Sequence, residues 1–148
     1  MATILKSIYI DAPVEKVFQY LDSPANLVEI WPSLMEVRDI MVAPDGKSTY
    51  DWSYKMFGVR LDGTSEEISH IPDRHLSWKS RGGVDSIITW AFAEENHGTR
   101  VTLHGVYQVP IPVLGRLAEI FVVKQNEREV ETILENLKAR MEVGERVK

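Results

Sequence analysis

The residue types able to do chemistry in this chain are few and poorly spaced for it. Its histidines, His70, His75, His97 and His104, never stand at the spacing of a helical zinc pair, so no metal site is expected. Cysteine is absent, which removes thiolate nucleophiles, disulfides and cysteine-ligated metals. The carboxylate pairs Glu66-Glu67 and Glu94-Glu95 could do acid–base work only from a shared face, and neighbours on a strand point to opposite sides. Solvated strand and turn positions are expected for them. Neither a G-x-S-x-G elbow, a phosphate-cradling glycine loop nor a dinucleotide fingerprint occurs, and Gly82-Gly83 reads as a turn. Hydrolase, kinase and dehydrogenase chemistry lose support; no catalytic residue is assigned and no cofactor is implied.

What the sequence offers instead is a concentration of rings. Strand parity puts Trp52, Tyr54, Met56, Trp78, Trp90, Phe92 and Tyr107 on one inner face, more aromatic surface than the cover of a single helix needs. Such rings can simply pack as core. A sheet with rings to spare can also leave a hollow, and concave apolar sites with a few polar groups bind small molecules. Buried Trp and Tyr need partners for N–H and O–H, methionine adapts to varied shapes, and Gly63 and Gly105 remove volume from inner positions. Trp31 and Met35 are expected to join the walls, and Asn126 to orient a ligand. Tyr54 and Tyr107 are the inward hydroxyls that a reaction would use.

The elements that must position these residues are punctuated clearly. Residues 4–10 have strand character, with Ile4, Ile8 and Ile10 on one parity. A helix comes next, with Asp11 as its expected cap, Pro13 in its first turn and Val14, Val17, Phe18 and Leu21 on one stripe. Ser23-Pro24 starts a second short helix over 25–30, which Trp31-Pro32 stops. Residues 34–109 then read as an antiparallel meander, with turns at Pro44-Asp45-Gly46, Phe57-Gly58, Pro72-Asp73, Gly82-Gly83 and Asn96-His97-Gly98. A two-residue turn at Phe57-Gly58 would pair Met56 with Val59, Tyr54 with Leu61 and Trp52 with Gly63, leaving Asp51, Ser53 and Lys55 to water. A two-residue turn at Gly82-Gly83 would face Trp90 and Phe92 outward. A longer loop is favoured, because hiding two large rings outweighs hiding Ile87 and Thr89.

No glycine or proline occurs over 116–143, which permits a helix of roughly 40 Å. Val123, Val130, Leu134, Leu137 and Met141 share a stripe with Glu119 and Asn126, while Leu114, Leu117 and Phe121 lie nearly opposite. The latter three are expected to form a gate or lid, or with Ile111 and Val113 an apolar strip for a protein or membrane.

The order of parts resembles the START-like superfamily, also called SRPBCC, and within it the polyketide cyclase/dehydrase-like proteins. The resemblance rests on Ser7-Ile-Tyr-Ile-Asp-Ala-Pro-Val-Glu-Lys-Val-Phe18, Trp31-Pro32, Leu76-Ser-Trp-Lys-Ser80, Gly98-Thr-Arg-Val-Thr-Leu103 and Leu134-Glu-Asn-Leu-Lys138, and spans nearly the whole chain. It implies an α+β helix-grip fold: a curved antiparallel sheet of about seven strands, in the order β-α-α-β-β-β-β-β-β-α, wrapped around a long C-terminal helix with an internal cavity. Members hold lipids, quinones, polyketides or similar apolar molecules there.

One domain over 1–148 is expected from the length, as a monomer or homodimer. A formal charge of -5 opposes phosphate neutralisation, so nucleic acid is not an expected partner. No leader or transmembrane segment is read, and transient membrane contact stays open; with no cysteine, cytoplasmic residence is expected. The leading expectation is a binder or carrier of a small hydrophobic ligand. A polyketide cyclase or dehydratase is the enzymatic alternative, and an interaction module using the 111–121 strip the third.

Overall fold

The computed structural model describes residues 2–56, 58–109 and 118–146. The chain runs β1 (Ala2–Ile10), α1 (Val14–Leu21), a short 3-10 turn (Pro24–Asn26), α2 (Leu27–Ile30), β2 (Leu34–Val42), β3 (Ser48–Met56), β4 (Val59–Ile71), β5 (His75–Gly82), β6 (Ser86–Glu95), β7 (Gly98–Tyr107) and α3 (Ala118–Arg146). The strands form one antiparallel sheet in the order β1-β7-β6-β5-β4-β3-β2, with α3 laid along its concave side, so the helix-grip expectation holds.

Hairpin chemistry sets the register. Met56 pairs with Val59, Tyr54 with Leu61 and Trp52 with Gly63, as a two-residue turn requires. A Cβ at Gly63 would overlap the Trp52 ring and crowd the Arg81 carbonyl, so the glycine is what lets the indole lie across β4. Between β5 and β6 the chain takes the longer loop: Leu76 pairs with Trp90 and Trp78 with Ile88, and both Trp90 and Phe92 are buried. Asn96 and His97 both adopt positive φ, 48° and 68°, the backbone of a type I′ hairpin turn between β6 and β7.

Three local expectations need correction. Asp11 does not cap α1; Pro13 occupies the N-cap position without a side-chain bond, and the Asp11 backbone N–H donates instead to Glu142 Oε2 at 2.8 Å. Ser53 does not face water. It is buried on the outer side of the sheet, donating to Asp62 Oδ1 at 2.6 Å and accepting from Arg38 and Arg60, whose long stems cover it. Glu67 is likewise buried rather than solvated, because it falls on the same inward parity of β4 as Leu61 and Ser65.

The helix buries Val122, Val130, Ile133, Leu134, Leu137 and Met141 against the sheet. Polar bonds fix its position. Asn136 Nδ2 donates to the Ile30 carbonyl at 3.0 Å, closing the end of α2, and Lys138 Nζ donates to the Tyr9 carbonyl at 2.9 Å on β1. Lys16 Nζ on α1 reaches the Met141 carbonyl at 2.8 Å. Three neighbouring elements are thereby tied to one helix.

Candidate functional site

Between α3 and the inner face of the sheet lies a cavity of about 120 Å³. Strand alternation supplies its aromatic walls: Trp52, Tyr54 and Met56 from β3, Trp78 from β5, Trp90 from β6 and Tyr107 from β7. Trp31 enters from the end of α2, where Pro32 stops the helix and turns the chain toward β2. Asn126 and Val130 face it from α3. Gly105 and Ile88 complete the floor, and a Cβ at Gly105 would stand 3.1 Å from Ile88 Cδ1. The rings meet edge to face, Tyr50 with Trp78 at 5.1 Å between centroids and Trp31 with Tyr54 at 6.4 Å.

Two expected wall residues lie elsewhere. Met35 is half exposed on the edge strand β2 and does not line the cavity, because β2 shifts register between Leu34 and Glu36. Phe92 is inward and buried, but it packs edge-on against Phe18 of α1, 5.4 Å between centroids, where α1 covers that end of the sheet. Of the expected gate, Leu114 and Leu117 lie outside the described residues, and Phe121 is 64% exposed.

Polar groups are concentrated at two places. Glu129, on α3 one turn beyond Asn126, accepts from Trp31 Nε1 at 3.1 Å, from Tyr54 Oη at 2.5 Å and from Ser33 Oγ. Burial pushes the Tyr54 hydroxyl well above the usual tyrosine range, and the Glu129 charge adds to the shift, so it stays a donor at neutral pH. Sequence reasoning missed Glu129, although helical spacing sets it at the edge of the Asn126 and Val130 stripe. Deeper in, Ser65 and Ser80 satisfy each other at 2.6 Å. Trp52 Nε1 and Tyr107 Oη are buried with no hydrogen-bond partner among the described residues. Burial raises the Tyr107 hydroxyl too; the nearby Asn126 amide opposes that rise without making a bond of ordinary geometry.

A lined hollow under a gripped helix is the helix-grip architecture. Residues 1–142 match the family described as polyketide cyclase / dehydrase and lipid transport, and the chain belongs to that family. No curated protein is close enough in sequence to match. The fold is shared with TTHA0849 from Thermus thermophilus, at 23% identity and a TM-score of 0.83, covering 97% of this chain and 99% of that one. It is also similar to the Zhui aromatase/cyclase from Streptomyces sp. R1128, at 16% identity and a TM-score of 0.74, covering 99% and 96%. The Aha1 dimer from Colwellia psychrerythraea is similar at 18% identity and a TM-score of 0.66, covering 97% and 98%. No helix among the described residues is long and apolar enough to cross a membrane.

Proposed function

We propose that this chain binds a small apolar molecule carrying a hydrogen-bond acceptor, such as a ring ketone or quinone, inside the cavity under α3. The observation that carries the reading is the pair of unpartnered buried donors, Trp52 Nε1 and Tyr107 Oη, on residues that line a mostly apolar space. A buried donor left unpaired costs about 1–3 kcal/mol, and a guest with a carbonyl oxygen would remove part of that cost. The volume limits the guest. A dry apolar cavity of roughly 150 Å³ accommodates benzene, so about 120 Å³ takes one ring or the apolar end of a larger molecule.

Quenching of the tryptophans by a matched series tests this: monocyclic quinones and ketones against hydrocarbons of the same size. The acceptor-bearing members should bind more tightly, and Tyr107→Phe should lower their affinity about 2- to 10-fold while leaving the hydrocarbons unchanged. Equal affinity across the series would overturn the acceptor preference.

The Tyr54–Glu129 pair supports a second reading, a cyclase or dehydratase in which the carboxylate moves a proton at the cavity wall. It is the weaker one. That carboxylate already accepts three hydrogen bonds, and Tyr54 is held protonated, which makes it a poor base. Turnover of an aromatic polyketide precursor that disappears in Glu129→Gln, with ligand binding retained, would favour the enzyme.

A further inference from the structure

Glu67 and His70 lie three residues apart on β4, a spacing that puts side chains on opposite faces of a regular strand. Here they share a side. Glu67 pairs with Trp78 and Ser69 with Ser77, so Ile68 is an extra residue that bulges β4 and re-aims the side chains after it. Asp22, at the C-terminal cap of α1, meets them: His70 Nε2 lies 2.9 Å from Asp22 Oδ1, and the imidazole edge rests on Phe18, 5.7 Å between centroids. One coordinating atom from each of Asp22, Glu67 and His70 lies within 4.8 Å of the others.

Glu67 is the informative member. It is 3% exposed; its Oε1 accepts the Ser48 backbone N–H at 3.0 Å, while its Oε2 has no partner among the described residues. A plain His70–Asp22 ion pair accounts for the other two residues and leaves this oxygen buried and unpaired, at a cost of about 1–3 kcal/mol. A cation held between the three residues would give that oxygen a partner.

We propose that Asp22, Glu67 and His70 bind a divalent first-row transition-metal ion, with zinc as its reference. An imidazole nitrogen with two carboxylate oxygens is a borderline donor set, which favours zinc over calcium or magnesium. His70 Nε2 and Asp22 Oδ1 are hydrogen-bonded at 2.9 Å, and opening that pair by about 0.4 Å gives the roughly 3.3 Å that two bonds of ~2.0 Å span at a tetrahedral angle. Three protein ligands leave a position for water, the arrangement of an open site. The sequence hid it because its members come from a helix end and a bulged strand.

The test uses the full chain, stripped with EDTA, desalted and titrated with zinc chloride in a calorimeter. One zinc per chain is expected, with affinity weakened at least roughly tenfold in His70→Gln and in Asp22→Asn, and unchanged in His97→Gln on the exposed β6–β7 turn. Asp22 is partly exposed, so its variant keeps the fold if His70→Gln does not. Zinc should also shift the His70 ring resonances of the unmodified chain and leave those of His75, His97 and His104 in place. No saturable binding, equal affinity in all variants, or shifts at the other histidines would each overturn the site.

Discussion

Tyr54 Oη donates to Glu129 Oε1 at 2.5 Å, joining the C-terminal end of β3 to α3 at the cavity wall. Trp31 Nε1 donates to the same oxygen at 3.1 Å, so a single carboxylate holds a strand, the end of α2 and the long helix together. The cavity walls therefore depend on a polar clamp as well as on apolar packing.

Replacing that carboxylate should cost stability through the donors it strands. Glu129→Ala leaves Trp31, Ser33 and Tyr54 without their acceptor, and a loss of about 2–4 kcal/mol is expected by urea denaturation. Tyr54→Phe should cost about 1 kcal/mol.

Alkaline pH should unfold the protein through the same tyrosine. The folded pKa of Tyr54 is raised, so its contribution is complete below the unfolded value of about 10 and is lost as pH rises above it. Tyr107 is shifted in the same direction. Unfolding free energy measured across that range should fall less steeply in Tyr54→Phe than in the unmodified chain; an identical slope would remove Tyr54 as the cause.

Gly63→Val should be among the costliest single changes on the sheet. The added side chain collides with the Trp52 ring and with the Arg81 carbonyl, which is backbone and cannot swing away. Overpacking of this kind costs about 1–3 kcal/mol or more, read as a lowered denaturation midpoint.

Phe92 and Trp78 should separate core from wall. Phe92→Leu disturbs the contact with Phe18 and is expected to cost about 1 kcal/mol with ligand affinity unchanged, whereas Trp78→Leu alters the cavity and should change affinity directly. Quenching and denaturation on both variants check this pair.

Much of the site is legible in the sequence because strand parity is strict. The alternation around Trp52, Tyr54 and Met56, once tied to a two-residue turn, places all three on one wall, and burying two rings decides the β5–β6 loop. Parity gives a face but not a position along the sheet, so it makes Phe92 a wall residue where α1 in fact covers it. It also assumes unbroken strands: register shifts displace Met35 on β2 and turn Glu67 and His70 to one side on β4. Glu129 escapes notice because a glutamate on a long helix is ordinarily solvated, and only its three donors, drawn from distant segments, show otherwise.

Crystals of the chain held under xenon or soaked in benzene measure directly whether α3 leaves the sheet's aromatic groove unfilled. Density for the guest among Trp52, Trp78, Trp90 and Tyr107, abolished by a cavity-filling Val130→Phe, is the predicted result; no occupancy there, with side chains closing the space, would contradict it.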